Sequence, residues 1–301
     1  MILEYKKRKL RQKFLCDKSL LYKKTDLISE GQIPINLLSN IQSTSMSFIY
    51  STIINQNKNK NFKIEQNLQD LIKYLEKNKP ENITHNGMIV PRKEISLEYN
   101  LFLKSFIDFL KYTGIFKLVD YFVSPPQLRI KFNDKNTNSN ASNNIHSDAW
   151  TNHNTDKSCT LYLPIFGDVK KNYVKFFKPK ENYIDINWLK FRKFDTGEDV
   201  VKNYKPVDVK YEIGKFLVSD CSTLHQSILL KNAKPRLSMD IAFIPKVSFY
   251  KSKIKSHVKA SKLDFIGTKE IMIFKDSINL PLKQILKKKR QSLSNRKIIK
   301  L

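Results

Sequence analysis

The sequence predicts an α+β chain with a mainly β core, and three observations lead there. Apolar residues recur at three- and four-residue spacing at Ile64, Leu68, Leu71, Ile72 and Leu75, and again at Leu97, Leu101, Phe102, Phe106, Phe109 and Leu110. That is the rhythm of helices burying one stripe. Two later stretches alternate strictly: Leu128, Ile130 and Phe132 lie opposite Gln127, Arg129 and Lys131, and Leu237, Met239, Ile241 and Phe243 lie opposite Arg236, Ser238 and Asp240. Each reads as a strand with one buried face. The helical periods precede the strands, so helices are expected to lead the chain and pack outside a sheet.

Taken in order, residues 1–30 are basic, with only a rough helical rhythm in Leu10, Phe14, Leu15, Leu20, Leu21 and Leu27. Residues 37–55 show no clear period and end in the strand-like Phe48 to Ile54; the polar run 55–61 is a loop. The helix through Leu75 stops before Pro80, and Met88 to Pro91 is a short extended segment. Tyr121 to Val123 and the Pro125-Pro126 break introduce the first alternating strand. Residues 133–144, rich in Asn, Ser and Thr, form a loop. Cys159 to Ile165 and Tyr173 to Phe177 follow as strands around a Gly167-Asp168 turn. The charged stretch Glu181 to Tyr204 is an insertion, and Val207 to Tyr211 and Lys215 to Val218 flank a turn at Gly214. The last stretch, Pro281 to Leu301, reads as a basic amphipathic helix. The division is a mainly helical elaboration at 1–120, a β core at 121–250 and a basic extension at 251–301, within one overall domain.

Chemistry concentrates in His146-Ser147-Asp148, with His225 far downstream. On a strand, residues i and i+2 share a side, so His146 and Asp148 can face one point, with His225 arriving from another strand of a jelly-roll barrel. Two imidazoles and one carboxylate suit non-haem Fe(II) with open positions left over. The guanidinium of Arg236, beside the Ser238 hydroxyl, is a receptor for a carboxylate because its fork donates two parallel hydrogen bonds. The alternative keeps His225 as a hydrogen-bonded core histidine and Arg236 as a surface charge.

From Gln127 to Phe243 the sequence resembles the Fe(II)/2-oxoglutarate-dependent dioxygenases, most closely their phytanoyl-CoA-hydroxylase-like branch. The resemblance rests on His146-x-Asp148, His225 and Arg236-x-Ser238 standing in the family's order. It implies a double-stranded β-helix (a jelly-roll, cupin-like fold). It implies an Fe(II) ligand set of His146, Asp148 and His225, and 2-oxoglutarate held by Arg236 with Ser238. Tyr162 and Thr160, on the barrel-facing side of their strand, are candidate co-substrate contacts. So is Arg129 or Lys131, although a solvated polar face is an equal reading of those two. Trp150 is a candidate wall of the substrate pocket and His153 a candidate substrate contact; the 133–144 loop is a candidate flap.

The expected activity is hydroxylation of a small molecule, with anionic substrates among the candidates, and release of succinate and carbon dioxide. The alternatives are a jelly-roll binding module without catalysis, or an oxygenase acting on nucleic acid or protein. The second Arg of the nucleic-acid demethylases' signature has no counterpart after Asp240, and the protein modifiers usually place Lys where Arg236 stands.

Composition bounds the rest. The 301 residues suffice for a full core. The net charge of +27 is spread over the chain with abundant Lys, Asn and Ile, which favours a compositional origin over a nucleic-acid site. Three widely spaced cysteines, Cys16, Cys159 and Cys221, suggest neither zinc nor a disulfide framework and point to a reducing cytoplasm. No run approaches the roughly 18 apolar residues of a membrane span, so a soluble cytoplasmic protein is expected.

Overall fold

A computed structural model describes residues 2–56, 68–78, 83, 87–91, 95–122, 126–132, 144–150, 157–181, 197–248, 258–259, 270–274 and 296–300. The N-terminal third forms α1 (Ile2–Lys18), β1 (Tyr22–Lys23), β2 (Ile28–Gln32), α2 (Ile35–Gln56), α3 (Leu68–Lys77) and α4 (Ser96–Tyr112). Then come β3 (Val119–Phe122), β4 (Gln127–Lys131), β5 (Cys159–Gly167), β6 (Asn172–Pro179), α5 (Glu198–Val201), β7 (Tyr204–Pro206), β8 (Lys215–Asp220), β9 (His225–Leu229) and β10 (Arg236–Pro245). The chain closes with β11 (Val258–Lys259), β12 (Glu270–Phe274) and β13 (Arg296–Lys300).

The larger sheet runs β1-β2-β8-β5-β10-β3-β11, with β4 also paired to β10; a smaller one runs β7-β6-β9, and β12 pairs β13. The pairings between these strands are antiparallel. Strand β10 is central: Leu237, Met239, Ile241 and Phe243 bury on one face together with Leu161, Leu163 and Ile165 of β5 and Phe216 and Val218 of β8. Helices α2, α3 and α4 cover that face, with the Phe109 ring edge-on to Phe216 at 5.0 Å. On the opposite face Tyr162 and Leu217 pack with Phe176 of β6 and Val207, which brings the smaller sheet against the larger. The site described below lies between these two sheets.

Several expectations change. Residues 48–54 are helical, part of α2, despite their β-branched residues. Ile41, Phe48, Ile49 and Ile53 bury one stripe against the sheet, and that tertiary burial outweighs strand propensity. Thr52 donates its hydroxyl to the Phe48 carbonyl, satisfying itself within the helix. In α4 the aromatic stripe is buried as expected, but Leu97 and Leu101 face outward, Leu97 at 67% exposure. The N-terminal third also contributes strand β2 to the larger sheet, pairing Ile28–Gln32 with β8. The helix expected over 281–301 is overturned at its end: Arg296–Lys300 is a strand, with Ile298 and Ile299 opposite Met272 and Ile271, where β-branched residues favour a ladder. The remainder of that proposed helix, through residue 295, lies outside the described residues, as does the 133–143 loop. Among the described residues no helix is long and apolar enough to cross a membrane.

Candidate metal centre

His146 and His225 are brought together by the backbone. Each donates its amide to the other's carbonyl, at 3.0 and 2.9 Å, so the segment before Asp148 lies along the start of β9. Their rings stand 4.3 Å apart. His146 Nδ1 donates to the Asn144 carbonyl at 2.7 Å and His225 Nδ1 to the Thr223 carbonyl at 3.0 Å. A carbonyl only accepts, so both rings carry their proton on Nδ1 and leave the Nε2 lone pair for a metal. Burial pushes the His146 imidazole well below its ordinary pKa, with His225 and Arg129 adding to the effect against the Asn144 carbonyl, which keeps it neutral as a ligand must be.

Asp148 does not sit on a regular strand, as the i, i+2 reasoning supposed. The backbone turns into a 3-10 turn over Asp148–Trp150, because the Ser147 hydroxyl and the Ala149 amide both donate to the Cys221 carbonyl at 3.0 Å. The carboxylate still reaches the histidines. Its Oδ1 is 3.7 Å from His225 Nε2, while Oδ2 accepts the Thr160 hydroxyl at 3.0 Å. One ligand atom from each of His146, Asp148 and His225 lies within 4.8 Å of the others, a set that can hold one metal ion.

Arg236 points into the same inter-sheet space. It is 1% exposed, its guanidinium carbon lies 5.3 Å from the centre of the Tyr162 ring, and its Nε and Nη1 have no hydrogen-bond partner among the described residues. The buried Tyr162 hydroxyl is likewise unpartnered among them. Lys131 stands directly across from Arg236 on β4, on the same face and buried; desolvation, Arg236 and Arg129 together push its ammonium down to about 8. Orphaned buried donors beside two like charges are costly unless an anion joins them. Gly167 makes the placement possible. It adopts φ +100°, and a Cβ there would fall 2.2 Å from the Pro235 carbonyl oxygen.

The other sequence candidates divide. Ser238 is buried on the same face of β10 as Arg236. Thr160 faces inward, and its hydroxyl donates to Asp148 Oδ2 at 3.0 Å. Arg129 gives Nε and Nη2 to the two oxygens of Asp240, both at 3.2 Å, and Nη2 also to Gln127 at 2.8 Å, so its fork is occupied within the protein. Trp150 is buried among Ile145, Phe177, Tyr204 and Leu224, where it packs the turn carrying Asp148. His153 lies outside the described residues. Sequence alone offers Lys131 as one of two options and carries no local signal for Asp220 or Arg11. The strict alternation of β4 already placed Lys131 on the polar face, but only the register with β10 sets it opposite Arg236.

No family model and no curated protein matches the sequence. Among solved structures the chain is similar to EctD from S. alaskensis, in a crystal structure with 2-oxoglutarate and 5-hydroxyectoine. The identity is 11% and the TM-score 0.42, over 78% of this chain and 75% of that one. It is also similar to SnoK, a non-heme alpha ketoglutarate dependent carbocyclase from nogalamycin biosynthesis, at 8% identity and TM-score 0.40 over 77% and 82% of the two chains. A third is ThoJ, a non-heme monooxygenase, at 10% identity and TM-score 0.35 over 78% and 77%. Likeness at this level assigns no function to the chain.

Proposed function

We propose that this protein is an Fe(II)- and 2-oxoglutarate-dependent oxygenase acting on a small-molecule substrate. The observation that carries the proposal is the pairing of a His-Asp-His cluster with a buried guanidinium, two of whose nitrogens have no partner among the described residues, on one inter-sheet face. The donor set fits the metal: two neutral nitrogens and one hard oxygen, with coordination positions to spare. Fe(II) bound there would supply dioxygen activation coupled to oxidative decarboxylation of 2-oxoglutarate, giving succinate and carbon dioxide while one oxygen atom reaches the substrate.

The chain's own residues do the rest. Thr160 holds Oδ2 of Asp148 and leaves Oδ1 beside His225 Nε2, where it would serve as the metal ligand, and the Asn144 and Thr223 carbonyls fix both imidazole tautomers. Thr160 and Tyr162 are two residues apart on β5, roughly 7 Å along a strand. Thr160 stands at Asp148 and Tyr162 beneath Arg236, and a five-carbon dicarboxylate would run from the one to the other. Arg236 Nε and Nη1 and the Tyr162 hydroxyl would donate to its far carboxylate, with Lys131 supplying a second positive charge and Ser238 a hydroxyl. The two facing sheets are read as a jelly roll, and the branch as phytanoyl-CoA-hydroxylase-like. Succinate release from 2-oxoglutarate, tested with Fe(II) across a panel of small-molecule substrates, examines the proposal. It should depend on both iron and the His146–Asp148–His225 set, and release that persists in His146→Ala or Asp148→Ala would remove the assignment.

A further inference from the structure

We infer that Asp220 is a positioning residue for the metal centre: clamped by α1, it fixes the 220–223 turn from which the ligand segments hang. The inference rests on the triad's holding a metal, and it concerns residues more than two hundred positions apart. The Asp220 carboxylate is fully buried. Its Oδ2 accepts Arg11 Nε at 3.1 Å and Nη2 at 2.7 Å, and Arg8 Nη1 lies 3.9 Å from Oδ1. Oδ1 also accepts the Ser222 amide at 3.1 Å and the Ser222 hydroxyl at 2.6 Å, which folds the chain back after β8. The turn closes through the Thr223 amide, which donates to the Asp220 carbonyl at 2.9 Å.

Each metal ligand is tied to this turn. The Cys221 carbonyl receives the Ser147 hydroxyl and the Ala149 amide, one on either side of Asp148. The Thr223 carbonyl receives His225 Nδ1, and His225 in turn carries His146 through their paired amides and carbonyls. Cys221 is itself tied to the larger sheet through its amide, which donates to the Ser158 carbonyl at 3.1 Å. A shift of the turn therefore moves Asp148 and His225 together, along different directions set by different carbonyls. A buried ion pair is weak as a source of stability. Its yield here is a fixed direction for three ligand-bearing hydrogen bonds, and metal affinity depends on such outer supports.

The test uses Co(II) as the probe, titrated into the full chain without oxygen and followed by its visible ligand-field absorption. Asp220→Asn keeps the shape but loses the charge that holds both arginines. Its Co(II) affinity should fall roughly 10- to 100-fold, with a changed band, at a temperature where circular dichroism shows it folded. Leu71→Ala, a core truncation in α3, is the stability-matched control and should keep both the affinity and the band. Arg11→Lys retains the charge but gives up the fork, and should shift affinity in the same direction by several-fold, so the inference is still tested if Asp220→Asn does not fold. Wild-type-like Co(II) binding in Arg11→Lys and in any folded Asp220→Asn, or an equal loss in Leu71→Ala, overturns the inference. A wild-type chain that binds no Co(II) overturns the metal reading, and this inference with it.

Discussion

Replacing Arg236 by Met should act in opposite directions on the ligand-free and ligand-bound protein. The guanidinium is buried, has two unpartnered nitrogens among the described residues and stands across from Lys131. Removing it relieves an uncompensated buried charge, so the ligand-free variant should melt a few degrees higher than wild type. Binding of 2-oxoglutarate should collapse. Two hydrogen bonds between charged groups are worth about 1.5–3 kcal/mol each, which at 1.4 kcal/mol per decade is roughly a 10²- to 10⁴-fold loss of affinity. In a thermal-shift assay with a redox-inert divalent metal, wild type at about one hundred times its Kd gains about 2.7 kcal/mol, on the order of 5 °C. Arg236→Met at the same concentration should gain less than about 1 °C. A variant that melts well below wild type, yet keeps the shift with 2-oxoglutarate, would refute the reasoning that this side chain is an anion receptor and not a structural element.

Three further outcomes follow from the same geometry. Thr160→Val removes the hydroxyl that holds Asp148 Oδ2; metal affinity by Co(II) titration should drop about tenfold or more with little change in secondary structure. Burial alone would raise the Asp220 carboxyl, but Arg11 and Arg8, with Ser222, hold it below its ordinary value. A folded-state value lowered in this way gives stability that is present above the ordinary carboxylate range and is lost as pH falls. Melting temperature should therefore drop steeply below about pH 4, and Asp220→Asn should show a shallower acid limb. The Lys131 ammonium runs the other way. With its folded-state value at about 8, below that of an unfolded lysine, the ligand-free protein should gain stability as pH rises through 8, and Lys131→Met should lack that gain.

Much of the site was legible because its parts recur at strand spacing. Arg236 and Ser238 share a face of β10, and the alternation of β4 and β10 persists in their register; His146 and Asp148 also converge, but through a 3-10 turn and not through strand spacing. What could not be read is whatever depends on distant pairing. The Arg11–Asp220 contact spans 209 residues and has no local pattern, since a lone arginine in a basic helix looks like a solvated charge. Helix α2 hid behind the β-branched residues of 48–54, whose burial against the sheet is a tertiary fact. The bond from Thr160 to Asp148 was not legible either, because facing inward does not say which neighbour a hydroxyl will meet. Trp150 shows the same limit: adjacency to Asp148 in sequence gave no sign that its ring would pack with Ile145, Phe177, Tyr204 and Leu224 once the backbone turned.

The most direct test of the central claim is an anaerobic titration of the purified protein with Fe(II) followed by 2-oxoglutarate, read as the visible charge-transfer band of the chelated pair. Wild type should develop the band, Asp148→Ala should not, and Arg236→Met should require far more 2-oxoglutarate to reach it. A wild-type protein that gives no band, or an Asp148→Ala protein that gives it undiminished, would contradict the account.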